Sequence, residues 1–209
     1  MLDVESKTQT RVVTLAALLV LGACATPKVD HAGFLQSYEQ LQVSDETGAV
    51  HVHTSSVETL ALYSKIHIEE ATMLEQRLSE PQSMAIRDAL MSALHEQLSR
   101  DREVVAGGET ANADATLLVR YAIVEVETSN VALNALTSVV IGAVDYGSLA
   151  LEAEVVDAKT GALVASMTWA RGAKPTNVLG AYTSTGNARA LAPDFAKRLA
   201  RLISPTEPA

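Results

Sequence analysis

The 209-residue chain carries 16 Lys and Arg against 25 Asp and Glu, for a formal net charge of -9 and a pI near 5.0. That balance argues against a nucleic-acid surface, which needs clustered Lys and Arg, and against adhesion to anionic lipid through a basic patch. One Trp and two Phe disfavour stacking platforms for bases or sugars, and a single Cys excludes an internal disulfide, so a core drawn from a 48% hydrophobic composition must hold the fold.

Lys7 and Arg11 precede an apolar run from Val12 to Leu21, with Asp3 and Glu5 diluting the positive charge. The run is long enough for the h-region of a signal peptide and too short to cross a bilayer. Leu21, Gly22 and Ala23 then lead into Cys24, the chain's only cysteine. This arrangement resembles the lipobox of bacterial lipoproteins, in which a peptidase cuts before the cysteine and the sulfur receives a diacylglycerol. A buried thiol in an N-terminal helix competes with that reading, but the charge, apolar run and small residues before the cysteine together favour lipidation. Two or more acyl chains, at about 0.8 kcal/mol per buried methylene, anchor a protein stably. Ala25 rather than Asp follows Cys24. By the same resemblance, that implies the outer membrane, facing the periplasm, instead of retention at the inner membrane.

Residues 1–23 thus read as a signal peptide, 24–32 as a lipidated tether, 33–204 as one domain and 205–209 as a flexible tail. Within the domain, Phe34, Leu35, Tyr38 and Leu41 fall at helical spacing and predict a short helix over 33–41. Residues 42–59 read as an irregular connection. Tyr63 to Ile68 alternates in polarity and reads as a first strand. Pro81 opens a helix whose Ile86, Ala89, Leu90, Ala93, Leu94 and Leu98 form one apolar stripe. Short and long strands are expected at Glu103–Ala106 and Ala115–Val126.

Val131 to Val144 has no charge and many small or β-branched residues. It reads either as a buried strand or short helix, or as an apolar contact segment centred on Val139, Val140 and Ile141. Beyond it, Leu149, Leu151, Ala153 and Val155 alternate with Glu152 and Glu154, the pattern of a strand with one wet face. Asp157-Ala158-Lys159-Thr160-Gly161 is turn chemistry, with Asp bonding the backbone ahead and Gly supplying a positive φ. Leu163 to Trp169 completes the hairpin. In the last helix Leu191, Phe195, Leu199 and Leu202 share a face, while Lys197, Arg198 and Arg201 face water. Pro193 should lie close to its start. The sum is an α+β domain with a mostly antiparallel or mixed sheet of about five strands, ending in a C-terminal hairpin and packed on two main helices.

Candidate chemistry is sparse. His51 and His53 could share one side of an extended segment, and His67 and His95 could join them in space, but two imidazoles do not make a zinc site. The carboxylate pairs Glu69/Glu70, Glu125/Glu127 and Glu152/Glu154 suit general acid-base work only within a cleft. A solvated strand face is the simpler reading. No nucleophile elbow or phosphate loop occurs. No catalytic residue, metal or cofactor is assigned.

The hairpin from Leu151 to Gly161 resembles the signature hairpin of a bacterial lipoprotein family, the domain of unknown function 3313. Gly33-Phe34-Leu35 with Tyr38 and Leu41 is similar to that family's opening motif, and Tyr63-Ser64-Lys65-Ile66 to its first strand. The resemblance spans roughly residues 30 to 204. It implies no established activity, so no catalytic residue carries over. The expected role is non-enzymatic: a membrane-anchored periplasmic domain that binds or stabilises another envelope component, with the 131–144 segment and the polar face of the hairpin as contact surfaces. A periplasmic small-ligand carrier or a hydrolase is the alternative.

Overall fold

The computed structural model describes residues 31–106, 114–129, 147–173 and 183–206. The lipobox residues Leu21, Gly22 and Ala23, the lipidation candidate Cys24, and Val139, Val140 and Ile141 with the rest of 131–144 lie outside the described residues.

Eight strands form one mixed sheet: β1 (Gln42–Val43), β2 (Val50–Thr54), β3 (Lys65–Ile68), β4 (Thr72–Met73), β5 (Glu103–Val104), β6 (Thr116–Glu127), β7 (Ser148–Asp157) and β8 (Leu163–Gly172). The strand order is β1-β2-β8-β7-β6-β3-β5, with β4 also paired to β6. β3 runs parallel to β5 and β6, and β4 parallel to β6, while β1-β2-β8-β7-β6 is antiparallel throughout. Among the described residues there are three helices: α1 (Val57–Leu60), α2 (Glu80–Leu98) and α3 (Gly186–Leu202). The α+β class and mixed sheet match the expectation, but about five strands understates the sheet. The additional strands are β1, β2 and β4, of which β1 and β4 are two residues long.

The core lies between one sheet face and the two long helices. Ile86, Leu90, Leu94 and Leu98 of α2 pack with Leu191, Phe195 and Leu199 of α3 against Ile66, Leu117, Val119, Leu149, Leu151 and Met167. Phe195 meets Trp169 edge-on at 5.7 Å and Tyr121 at 6.5 Å. At the start of α2, Pro81 occupies the first turn, where its missing N–H costs nothing, and the Gln82 side chain reaches back to accept from the Ser79 amide at 2.9 Å.

The hairpin turn is built as its residues predict. Asp157 Oδ1 accepts from the amides of Lys159 at 3.0 Å and Thr160 at 2.7 Å, and Gly161 adopts φ +71°.

Two helix boundaries differ from expectation. Residues 33–41 form no helix. Gly33 has φ +83°, and two amides that would bond carbonyls four residues back go elsewhere, Glu39 to the Ser37 hydroxyl at 3.3 Å and Leu41 to the Tyr38 carbonyl at 3.2 Å. Pro193 sits inside α3 rather than near its start. The carbonyl it leaves without a helical partner belongs to Arg189, four residues earlier on the same exposed face, where water can reach it.

Candidate functional site

Alternation along β7 sends Leu149, Leu151, Ala153 and Val155 to the core face and Glu152 and Glu154 to the opposite one. Those two carboxylates are not wet: Glu152 is 0% exposed and Glu154 3%. The expected solvated hairpin face, and with it the polar hairpin face as a contact surface, is therefore corrected. A carboxylate taken out of water must be matched by donors or the cost is several kcal/mol.

The donors come from the first described residues of the chain. Glu152 accepts the amides of Ala32 at 2.8 Å and Phe34 at 3.1 Å, and the Tyr38 hydroxyl at 2.6 Å. Glu154 accepts the Gln36 amide at 3.1 Å and the Arg120 guanidinium at 2.5 Å. Residues 32, 34 and 36 alternate, as amides on one side of an extended segment do. The segment forms a strap lying on the sheet, pinned by buried Leu35. Tyr38 folds the strap back on itself, since its hydroxyl accepts from the Gly33 amide at 2.8 Å while His31 stacks on its ring at 4.1 Å. Burial, together with the hydrogen bond to the Glu152 carboxylate, raises the Tyr38 phenol above its ordinary range.

Pairing register extends this polar face across the sheet. His51, Thr168 and Glu152 form one cross-strand row, and His53, Ser166, Glu154 and Arg120 the next. Thr168 and Ser166 are buried, and Thr168 Oγ1 lies 3.3 Å from His51 Nδ1. His67 sits on β3, with β8, β7 and β6 between it and the β2 histidines, and Nδ1 is 3.1 Å from the Val105 carbonyl oxygen. His95 is exposed in the last turn of α2. The four histidines do not converge, and among the described residues no group of three or more His, Cys, Asp or Glu is placed to hold a metal.

The other carboxylate pairs are dispersed. Glu69 and Glu70 are exposed after β3, and Glu125 and Glu127 are exposed near the end of β6. A site that sequence reasoning missed lies beside the latter pair. Pairing of β6 with β7 shifts register between Ile123 and Glu125, and Glu75 accepts the Val126 amide there at 3.2 Å. Arg77 donates to the same carboxylate through its amide at 2.7 Å and its guanidinium at 3.0 and 2.7 Å. These bonds, the Arg77 side chain foremost, hold the Glu75 carboxyl at about 2. At the hairpin turn, burial works against ionisation of Asp157. Bonds from Thr160, the Tyr63 hydroxyl and the Lys159 amide outweigh it and lower the carboxyl.

The recurrent chemistry is thus a carboxylate that accepts backbone amides. A carboxylate so occupied positions chain. Nothing in sequence spacing links residue 32 to residue 152, so the strap left no local signal. A signal for β2 did exist, because Val50-His51-Val52-His53 alternates with a period of two.

A family model described as "Protein of unknown function (DUF3313)" matches residues 30–199. Among curated proteins none is similar enough to match the chain. Solved structures with a similar course include the PelC dodecamer from Paraburkholderia phytofirmans, at 14% identity and a TM-score of 0.47 over 75% of this chain and 94% of that one. A DUF4136 family protein from Bacteroides thetaiotaomicron is similar at 10% identity and a TM-score of 0.41, over 81% of this chain and 100% of that one. The lipoprotein GNA1162 from Neisseria meningitidis is similar at 10% identity and 0.36, over 66% and 96%. At these identities and scores the likenesses carry nothing about activity or assembly.

Proposed function

The chain belongs to the DUF3313 family, and we propose that it acts without catalysis, as a lipid-anchored envelope domain that binds or stabilises another component of the cell envelope. The observation that supports this reading is the strap. Ala32 is eight residues past Cys24, and an extended chain covers at most about 3.5 Å per residue. Lipid on Cys24 would therefore hold the strap-covered face of the sheet within about 28 Å of the membrane surface. The bonds to Glu152 and Glu154 set the place on the sheet where the tether would end, which supports a preferred rather than a random presentation of the domain. Confinement of this kind raises effective concentration for partners in the same membrane.

Fractionation and in-cell crosslinking of the wild-type chain beside Cys24→Ser test the reading. The wild type is expected in the membrane fraction, carrying acyl label and crosslinking reproducibly to an envelope component. Cys24→Ser is expected to lose the label and that crosslink. Retention of membrane association and crosslinks by Cys24→Ser would overturn the tethered role.

A further inference from the structure

The chain's negative charge hides a basic cleft. Between α3 and strands β2 and β8 lies a cleft of about 440 Å³, with Val50, Trp169 and Leu191 at its floor. Its rim carries Arg171 from β8 and Lys197, Arg198 and Arg201 from α3, against one lining acid, Asp194. Two of the cations are fixed by the neighbouring turn, and Asp45 offsets the charge of Arg171, so that Lys197, Arg198 and Arg201 are the rim cations without a carboxylate partner among the described residues. Arg171 donates to Asp45 Oδ2 at 2.6 Å and to Thr47 Oγ1 at 3.3 Å, and Arg198 donates to the Ser44 carbonyl at 2.9 Å and also contacts the Ser44 hydroxyl. The turn after β1 therefore holds both guanidinium groups at the cleft. Lys197 and Arg201 stand one helical turn apart, exposed, and neither has a carboxylate partner among the described residues.

Basic residues near a helix C-terminus complement its dipole, which accounts for Lys197 and Arg201 taken alone. It does not account for the cleft that these side chains share with Arg171 on the facing strand. We propose that this cleft is a binding site for a phosphate-bearing ligand. Guanidinium groups bind phosphate oxygens in a planar, bidentate fork and an ammonium adds a point charge. The volume exceeds that of a bare phosphate and lies within the range of small-molecule sites. Phospholipid headgroups and soluble phosphate compounds share this chemistry. Such a site departs from the expectation, drawn from net charge, that no basic patch meets anionic lipid. Net charge sums over the chain, whereas a site samples a few residues. Nothing in the cleft depends on lipid at Cys24.

Trp169 is the chain's only tryptophan and lines the cleft while packing on Phe195, so all tryptophan emission comes from beside this site. The experiment titrates the full chain carrying Cys24→Ser with inorganic pyrophosphate while following that emission, and with phosphatidylglycerol or phosphatidylcholine vesicles by co-sedimentation. Lys197→Glu/Arg201→Glu in the same background is the comparison, with Lys197→Gln/Arg201→Gln as the milder pair, and melting curves confirm that each folds. Saturable change in Trp169 emission, weakened about tenfold or more by the reversal, is expected. Phosphatidylglycerol binding that depends on the same residues assigns a lipid headgroup, and a pyrophosphate response alone assigns a soluble phosphate compound. No response to any probe, or a response unchanged in the folded variants and so an adventitious ion only, overturns the proposal.

Discussion

The two faces of the central sheet are both buried, by different physics. On one, Leu149, Leu151, Ala153 and Val155 meet α2 and α3, and burial there is proportional to apolar area and indifferent to direction. On the other, Glu152 and Glu154 are covered by the strap through individual hydrogen bonds, each needing a donor at a set distance and angle. The first face is a shared core, whose loss is felt everywhere. The second is a local fastening, whose loss should be felt where the chain is fastened. A polar stripe in an alternating strand therefore marks a face, and it is wet only if nothing with spare donors lies over it.

The largest effect is expected from breaking the apolar face. Phe195 is 0% exposed and sits between Trp169 and Tyr121. Phe195→Ala should lower the stability of the whole domain by about 3–5 kcal/mol, read as a lower denaturant midpoint with amide exchange accelerated throughout. A loss under about 1 kcal/mol would mean that the aromatic cluster is not the keystone of the core.

A smaller and more localised effect is expected from the polar face. Glu152→Ala leaves the Ala32 and Phe34 amides and the Tyr38 hydroxyl without their acceptor, at a cost of about 1–3 kcal/mol. Amide exchange and protease sensitivity should rise over residues 31–38 first, while the midpoint for the helices and sheet shifts little. Exchange that rises uniformly would merge the two faces into one cooperative unit and end the distinction.

The apolar face was largely legible in the sequence because its determinants are local. The stripe from Ile86 to Leu98, the alternation from Leu149 to Val155 and the Asp157–Gly161 turn each depend on residues within one element. What was not legible depends on contacts across the chain. The strap pairs residues 32–38 with residues 152–154, and its helical spacing at Phe34, Leu35, Tyr38 and Leu41 was overridden by long-range bonds from alternate amides to Glu152 and Glu154, which hold the segment extended. The short β1 and β4 have too few residues to carry a period. The basic cleft joins β8 to α3 with a turn near residue 45, and no window of sequence contains all of them.

Glu75 sharpens the comparison at the smallest scale, because it repeats the chemistry of Glu152 at the register shift in β6 while its partner Arg77 stays 66% exposed. Folding lowers the Glu75 carboxyl from the ordinary 4.5 to about 2, so the unfolded chain binds its proton more tightly than the folded one. The stabilisation is therefore fully present above pH 4.5 and fades as pH falls from there towards 2. Solvent around Arg77 screens the pair, which keeps the effect below that of Glu152→Ala. Glu75→Gln should be less stable than the wild type at neutral pH, with the gap closing as acid protonates the wild-type carboxyl. Urea midpoints for the two proteins across that range would show it. A gap that stays constant with pH would assign the loss to the shape of the side chain, and would leave the ionised carboxylate with no part in holding the Val126 amide.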